Sequence, residues 1–316
     1  MPFHYFKFDG SIQHNENNHR VIDLTGQSIF RRITMPDLAF LNGQIIRIED
    51  AFVSIEDRGY QFGDAVYEFI ESFDFHIFCL DEHLRRLQCS MEQIDFPTIS
   101  FSDLKNQIIN LFTLSEYKRA GCYLQVSRGV EPRAHSYTNK VSPQVTMTIK
   151  NLAHLDPGVN TKGIGIRTCE DYRWGMCHVK TVQLLPAALE QHKAKKAGLA
   201  DTVFISKEGY VREGTCTNLF MIKNNILITH PLDNHILPGI TRDVIINRIC
   251  KKEKIAVQEQ YYDINEVYNG DEAFLCSTVM KIQPIIEVDG KKIGTGAPGP
   301  LTKKIQAFYD QLIYHL

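Results

Sequence analysis

The sequence predicts an α+β protein in two halves, because hairpin signals, helical stripes and one polar break follow each other along the chain. Short apolar runs meet at Asn42-Gly43 and at Asn224-Asn225, which is typical of hairpins with two-residue turns. Other segments carry apolar residues every three or four positions, as amphipathic helices do. A polar stretch containing Pro157-Gly158 separates the halves. The expected extension, first domain, linker and second domain are 1–37, 38–150, 151–163 and 164–316.

In the first half we expect five strands and two helices. The expected strands are 38–41, 44–48, 67–75, 122–127 and 145–149. Asp81 is a suitable N-cap for the first helix, and the second helix starts near Ser102. Their apolar stripes are Leu84, Leu87, Met91 and Ile94, and Leu104, Ile108, Leu111 and Phe112. The hairpin at the start indicates a largely antiparallel sheet in this half.

In the second half we expect short strands between three helices. The expected strands are 164–168, 202–206, 210–213, 219–222, 226–229 and 273–276, followed by a hairpin at 285–293. The first helix has Pro186 near its start and Gly198 at its end, and the second opens at Pro238-Gly239. The last helix carries Leu301, Ile305, Phe308 and Leu312.

Composition and charge exclude several classes of function. The 316 residues are 43% apolar and 23% charged, which is typical of soluble globular proteins. A net charge of -2 gives no basic field for nucleic acid or an anionic membrane. No apolar run is long enough to span a bilayer, and the N-terminus lacks the pattern of a secretory signal. We therefore predict neither a nucleic-acid partner nor a membrane association.

The cysteines and histidines do not form the patterns of a disulfide framework or a metal site. None of the eight cysteines forms a Cys-x-x-Cys pair, and the twelve histidines are scattered. This predicts reduced thiols in a cytoplasmic protein and no metal. The P-loop pattern and Gly-x-Ser-x-Gly are also absent from the sequence, so P-loop and nucleophile-elbow sites are unsupported.

Lys180 and Glu213 are the first candidates for chemistry. Lys180 stands between apolar neighbours just ahead of a predicted helix. Burial there disfavours the ammonium form and lowers the pKa of the amine, as a lysine that attacks carbonyl carbon requires. A lysine whose amine reaches solvent from the end of a strand is the alternative. Glu213 ends a predicted strand, where its carboxylate either holds a proton on a ring nitrogen or simply belongs to a turn.

Several residues form a candidate phosphate site. Ile240 and Thr241 follow Pro238-Gly239 at a predicted helix start, where free backbone N–H groups favour an anion. Ser277 and Thr278 add two hydroxyl groups at the end of a strand. Arg86 offers a counter-charge, although it lies off the apolar stripe of its helix, as a surface arginine also does.

Arg133 and His135 lie two residues apart, beside Pro132 and just past the apolar run 122–126. In an extended or looped backbone both side chains reach one small anion. Arginine offers a planar fork that fits a carboxylate, and histidine adds a second donor whose charge changes near neutral pH. A solvated loop is the alternative for such a pair on its own.

Taken together, these segments resemble the fold-type IV pyridoxal-phosphate enzymes, and among them the D-amino-acid aminotransferases. The resemblance runs from about Asp37 to Leu316. The segments that carry it are, in chain order, Asp57-Arg58-Gly59-Tyr60-Gln61-Phe62-Gly63-Asp64, Val66-Tyr67-Glu68, Glu82-His83-Leu84-Arg85-Arg86-Leu87, Gln125-Val126-Ser127-Arg128-Gly129, Pro132-Arg133-Ala134-His135, Val179-Lys180, Glu213-Gly214, Asn218-Leu219-Phe220, Leu237-Pro238-Gly239-Ile240-Thr241-Arg242 and Ser277-Thr278.

The resemblance implies pyridoxal 5'-phosphate as the cofactor and assigns a role to each candidate. Lys180 is implied to carry the cofactor and to act as the catalytic base, and Glu213 to pair with the ring nitrogen. The cofactor-binding residues it implies are Arg86, Lys180, Glu213, Leu237, Ile240, Thr241, Ser277 and Thr278. The residues it implies for the substrate carboxylate are Tyr67, Arg133 and His135. In this family the Arg-x-His loop reaches the neighbouring subunit, which implies a homodimer.

The implied reaction is ping-pong transfer of an amino group from a D-amino acid to a 2-oxo acid. Three alternatives stay open: a branched-chain L-amino-acid aminotransferase, a lyase such as aminodeoxychorismate lyase or an amine transaminase on the same fold, and an inactive cofactor-binding scaffold. The chain also departs from the family pattern at Ala65, Cys216 and Val279, which stand where glycine or hydroxyl residues are common. The extension has no counterpart in the family.

Overall fold

The computed structural model describes the backbone of 21–22 and 28–29, and residues 37–138, 140–154 and 162–314. The chain forms two compact units, residues 1–36 and 37–316. In the first unit, strands β1 (Val21–Ile22) and β2 (Ser28–Ile29) pair antiparallel. Most of the predicted extension and part of the predicted linker lie outside the described residues, and the division into two domains stays a prediction.

The first half of the second unit contains a six-stranded sheet. Its strands are β3 (Leu38–Leu41), β4 (Gln44–Arg47), β5 (Ala65–Phe73), β6 (His76–Ile77), β7 (Ala120–Ser127) and β8 (Gln144–Asn151). Their spatial order is β4-β3-β8-β7-β5-β6, and every neighbouring pair is antiparallel. The predicted antiparallel sheet is therefore confirmed, and Asn42-Gly43 forms the turn with positive φ at both residues.

Three helices and a 3-10 turn accompany this sheet: Ile48–Asp50 (3-10), α1 (Arg58–Phe62), α2 (Leu80–Gln93) and α3 (Phe101–Ser115). The predicted N-cap at Asp81 is wrong, because α2 begins at Leu80 and Cys79 is its N-cap. Leu80 is itself buried against the sheet, so the helix starts one residue earlier and Asp81 lies in its first turn. Ser100 caps α3 by accepting a bond from the Asp103 N–H.

The second half contains a nine-stranded sheet. Its strands are β9 (Ile164–Glu170), β10 (Asp201–Ile205), β11 (Val211–Gly214), β12 (Asn218–Lys223), β13 (Ile226–Thr229), β14 (Val257–Glu259), β15 (Glu272–Ser277), β16 (Lys281–Val288) and β17 (Lys291–Lys292). Because β11 pairs with both β10 and β12, the strands β11-β10-β9-β16-β15-β12 close into a small barrel. Strand β14 and the parallel pairs of β9 were not predicted.

The helices of this half are α4 (Leu185–Lys196), α5 (Ile240–Asp243), α6 (Lys251–Glu253), α7 (Ile264–Tyr268) and α8 (Pro300–Tyr314), and a π-helical stretch, Val244–Cys250, joins α5 to α6. The predicted face of α8 is shifted. Ile305 is buried as expected, but Tyr309 and Ile313 are buried more deeply than Phe308 and Leu312. This happens because α8 packs against the π-helical stretch Val244–Cys250 and against Phe73 and Phe78.

Three apolar clusters hold these elements. One lies between the first sheet and α2 and α3, and it includes Val179, the residue before Lys180. A second packs the barrel against α8 and the π-helical stretch, and a third lies among the barrel strands. All eight cysteines are free thiols. Within the described part of the chain, no helix is long and apolar enough to cross a membrane.

Candidate active site

A cavity of about 340 Å³ lies where the first sheet, α2 and the barrel meet. Its size is within the range of small-molecule sites, roughly 300–1,000 Å³. The first sheet contributes Tyr67 and Phe69, and the barrel contributes the turn from Glu213 to Asn218. Nine of the predicted site residues line it: Tyr67, Arg86, Lys180, Glu213, Leu237, Ile240, Thr241, Ser277 and Thr278.

The backbone around Lys180 is fixed by the first sheet and α2. The Lys180 N–H donates to Ser90 Oγ at 3.1 Å, and its carbonyl accepts from the Tyr67 N–H at 3.0 Å. These bonds direct the side chain into the cavity, where Nζ lies 4.2 Å from the centre of the Tyr67 ring. Burial, aided by the Arg86 charge, lowers the pKa of Lys180 to about 8, while Glu68 and Glu213 oppose the shift. The amine is therefore partly neutral near physiological pH.

Arg86 is held by a buried acidic partner that the sequence did not indicate. Its Nε and Nη2 each donate to the Glu68 carboxylate at 2.7 Å, and its Nη1 donates to the Pro238 carbonyl at 3.1 Å. His83 also bonds to Glu68, at 2.7 Å. Burial raises the pKa of Glu68, but Arg86 and His83 outweigh it and hold the pKa well below its usual range. The guanidinium is thus fixed beside the start of α5, which explains why a residue off the apolar stripe is buried.

Glu213 lines the cavity and accepts three hydrogen bonds. Its Oε1 accepts from Arg173 Nη1 at 2.6 Å, and its Oε2 accepts from the Leu237 N–H at 2.9 Å and Asn218 Nδ2 at 3.2 Å. Burial raises the pKa of Glu213, while the Arg173 charge and the Leu237 N–H act in the opposite direction. Arg173 is in turn held by the Asp171 carboxylate at 3.0 Å. The sequence offered no signal for Arg173 beyond its place near Lys180.

Hydroxyl and backbone groups gather between α5 and the end of β15. Gly239 is the N-cap of α5, and a Cβ there would lie 2.0 Å from Asn218 Oδ1, so only glycine allows this approach. Thr241, Ser277 and Thr278 face the same cavity. Val279 and Cys216 also line it. Two of the three departures from the family pattern, Cys216 and Val279, therefore contact the site.

Arg133 and His135 do not line this cavity. Both are exposed on the loop after β7, where the Arg133 guanidinium lies 4.8 Å from the centre of the Phe62 ring and the His135 ring lies 5.8 Å from it. The structure therefore brings Tyr67 together with Lys180 but leaves the other two predicted carboxylate residues outside the cavity of the same chain.

A family model described as amino-transferase class IV matches residues 65–288. The matched span covers β5 through β16 and includes every residue that forms the cavity. The chain belongs to the class IV aminotransferases. Both the predicted family resemblance and the predicted α+β architecture of fold type IV are confirmed.

The sequence relatives of this class IV aminotransferase are named for D-alanine, whereas the solved structures similar to it are named for branched-chain amino acids. It is 38% identical over 267 residues to a D-alanine aminotransferase of Bacillus licheniformis, covering 84% of this chain and 93% of the relative. It is 34% identical over 276 residues to the D-alanine aminotransferase of Staphylococcus haemolyticus, covering 87% and 97%. The solved branched-chain amino acid aminotransferase of Escherichia coli superimposes with a TM-score of 0.82 at 28% identity, covering 89% and 96%. That of Thermobaculum terrenum, solved in its PLP form, gives a TM-score of 0.79 at 25% identity, covering 89% and 95%.

Proposed function

We propose that this class IV aminotransferase uses pyridoxal phosphate to transfer the amino group of a D-amino acid, such as D-alanine, to a 2-oxo acid such as 2-oxoglutarate. The observation that carries the proposal is the presence, in one cavity, of the Lys180 amine, whose pKa is lowered, and of the buried Glu213 carboxylate. The sequence relatives named D-alanine aminotransferase support the handedness.

The donor groups of the cavity fit pyridoxal phosphate. Lys180 supplies the amine that attaches the cofactor, and Glu213 supplies a carboxylate for the ring nitrogen. Arg86 and Thr241, with the hydroxyls of Ser277 and Thr278 and the backbone of Ile240, supply charge and hydrogen-bond donors for a phosphate. Leu237 supplies an apolar surface for the ring.

When bound, pyridoxal phosphate supplies the carbonyl carbon that takes up the amino group and a ring that withdraws electrons from the substrate Cα. The protein's own part is proton transfer and orientation. Once the amino group of the substrate takes its place on the cofactor, Lys180 would be a free neutral amine, able to remove the proton from Cα and to give it back later in the transfer. Glu213 keeps the ring nitrogen protonated, and Arg173 fixes the position of Glu213.

The substrate carboxylate is proposed to bind Tyr67 from one subunit and Arg133 and His135 from another. The exposure of Arg133 and His135 on their own chain, outside its cavity, supports this placement. A second copy would also cover the large apolar side chains of Phe52, Ile55, Tyr60 and Leu185, which are 70–78% exposed. We therefore propose a homodimer, and the free thiols support a reducing, cytoplasmic setting.

The second candidate function is transfer from branched-chain L-amino acids. It is favoured by solved structures that superimpose well on this chain, since those of Escherichia coli and Thermobaculum terrenum are named branched-chain amino acid aminotransferases. The two candidates share Lys180 and Glu213 and differ in how the substrate carboxylate is held. Substrate handedness therefore separates them.

The lowered pKa of Lys180 predicts how cofactor capture depends on pH. Only the neutral amine attacks a carbonyl, so capture by the apoenzyme should rise roughly tenfold per pH unit below about 8 and level off above it. An ordinary lysine is only about 0.4% neutral at pH 8. The measurement is the initial rate of borohydride-trapped label on Lys180, with Nα-acetyl-lysine as the control amine. A rate that keeps rising to a pH near the ordinary value of 10.5 would contradict the shift.

The proposed handedness is tested by half-reactions of the holoenzyme with D-alanine, L-alanine and L-leucine. We expect D-alanine to convert the cofactor to its amine form at least about 100-fold faster, because a carboxylate fixed on one side leaves one enantiomer with its Cα hydrogen toward Lys180. Arg133→Ala should weaken D-alanine binding by about 1.5–3 kcal/mol per lost charge-assisted hydrogen bond. Arg47→Ala, which removes an exposed arginine paired only locally, is the control. Faster conversion by L-leucine would replace the D-specific proposal with the branched-chain one.

A further inference from the structure

The segment from Asp57 to Asp64 has no part in the chemistry described so far, yet it builds a rigid support beside the first sheet. Asp57 caps α1 by accepting the Gly59 N–H at 2.8 Å, and its other oxygen accepts the Ser127 hydroxyl at 2.7 Å. The helix ends at Gly63 in the left-handed conformation. This short, doubly anchored turn directs the Arg58 side chain inward, where only 4% of it is exposed.

Arg58 binds the backbone of the loop that carries Arg133 and His135. Its Nη1 donates to the Ala134 carbonyl at 2.7 Å and its Nη2 to the His135 carbonyl at 3.1 Å. Its Nε donates to Asp64 at 2.9 Å, and Nη1 also contacts Glu131 at 3.2 Å. A buried guanidinium that donates to two consecutive carbonyls fixes the backbone on both sides of the His135 Cα, next to Arg133.

The loop has two further attachments that converge on the same support. Glu131 accepts hydrogen bonds from the Thr138 N–H at 3.3 Å and the Thr138 hydroxyl at 3.2 Å, which joins the two ends of the loop. The Phe62 ring lies 4.7 Å from the Arg58 guanidinium and 4.8 Å from that of Arg133. Arg58 and Phe62 therefore hold the loop together: Arg58 binds its backbone carbonyls, and the Phe62 ring packs near the side chains of Arg133 and His135.

We propose that Arg58 is a positioning residue for substrate selection, because it presents Arg133 and His135 in one fixed arrangement to the carboxylate of the substrate. The proposal rests on the proposed function, in which these two side chains bind that carboxylate. Without Arg58, the exposed loop would lose conformational freedom each time the substrate binds, and this entropy cost would weaken the affinity for the substrate. Lysine cannot replace Arg58, because one ammonium cannot serve two carbonyls and two carboxylates in a planar array.

The test compares three variants of the holoenzyme with the wild type. Arg58→Lys should raise KM for D-alanine at least about tenfold, the equivalent of one lost charge-assisted hydrogen bond, with kcat within about threefold. Cofactor affinity should not change, since Arg58 does not line the cavity. The matched control is Arg128→Lys. Arg128 is equally buried and also pairs with Asp64. Its carbonyl partners are Ile94 and Asp95, and its contact with the loop is to the Tyr137 ring, 3.7 Å away, not to the carbonyls of Ala134 and His135. The third variant, Arg133→Ala, reports on the carboxylate site itself.

Each outcome decides between explanations. If Arg58→Lys leaves KM unchanged while Arg133→Ala raises it, the positioning role is wrong and the proposed function stands. If Arg128→Lys raises KM as much as Arg58→Lys, the effect is general damage to this region and the assignment to Arg58 is also wrong. If Arg133→Ala leaves KM unchanged, the carboxylate site itself has failed. If Arg58→Lys does not fold, Phe62→Leu is measured in its place. A KM for D-alanine raised about threefold or more is the expected result if Arg58 and Phe62 position the loop, and an unchanged KM overturns that role.

Discussion

Lys180→Ala is expected to abolish amino transfer, with a loss of at least about 10⁴-fold in turnover with D-alanine and 2-oxoglutarate. The variant loses both the group that attaches the cofactor and the proposed base at Cα, and positioned acid–base groups alone contribute roughly 10²–10⁴-fold. Residue 180 bonds to Ser90 and Tyr67 through its own main-chain N–H and carbonyl, which alanine keeps, so the fold around this position should persist. Borohydride reduction of the wild-type holoenzyme, followed by peptide mapping, should place the label on Lys180.

Lys281→Met is the matched control for this experiment. Lys281 is also buried, but its Nζ lies 5.0 Å from the centre of the Phe73 ring and bonds to the Tyr314 hydroxyl, and it does not line the cavity. The control is expected to lose stability and to keep the label on Lys180. The assignment of Lys180 is wrong if the label is found on any other lysine. It is also wrong if turnover by Lys180→Ala stays within about tenfold of the wild type.

Glu213→Gln is expected to keep cofactor binding and to slow proton removal at Cα by about 10²–10³-fold. Losing a charged partner for the ring nitrogen raises the barrier by a few kcal/mol, and each ~1.4 kcal/mol is tenfold in rate. The glutamine still offers an oxygen to the Leu237 N–H, so the turn between β11 and β12 keeps one of its bonds. Single-turnover conversion with D-alanine measures the rate.

Arg173 complicates this substitution and supplies its control. In Glu213→Gln, the Arg173 guanidinium loses a carboxylate at 2.6 Å and stays buried, which by itself destabilises the protein. Arg173→Met and the double variant complete a cycle that separates the two effects. Thermal stability should recover in part in the double variant, whereas the slow single-turnover rate should remain. A rate that recovers together with stability would show that Glu213 acts only as the partner of Arg173.

Local sequence signals were sufficient for much of the fold and for the choice of candidate residues. Asn42-Gly43 and Asn224-Asn225 form turns with positive φ, as two-residue hairpin signals predict. Leu84, Leu87 and Met91 are buried on one face of α2. These predictions succeed because turn and helix preferences depend on neighbours within a few positions. The motifs in chain order were also enough to indicate the family, and nine of the predicted site residues lie in one cavity.

Only the tertiary structure decided which partner each charged residue has. Glu68 holds Arg86 across 18 residues, Arg173 holds Glu213 across 40, and Arg58 holds the Ala134 carbonyl across 76. No periodicity links residues at such separations, because their contact depends on how strands pair and how the barrel packs against the first sheet. The same reason explains the exposed position of Arg133 and His135. Their residue types indicate a carboxylate site, but the fold alone determines that they lie outside the cavity of their own chain.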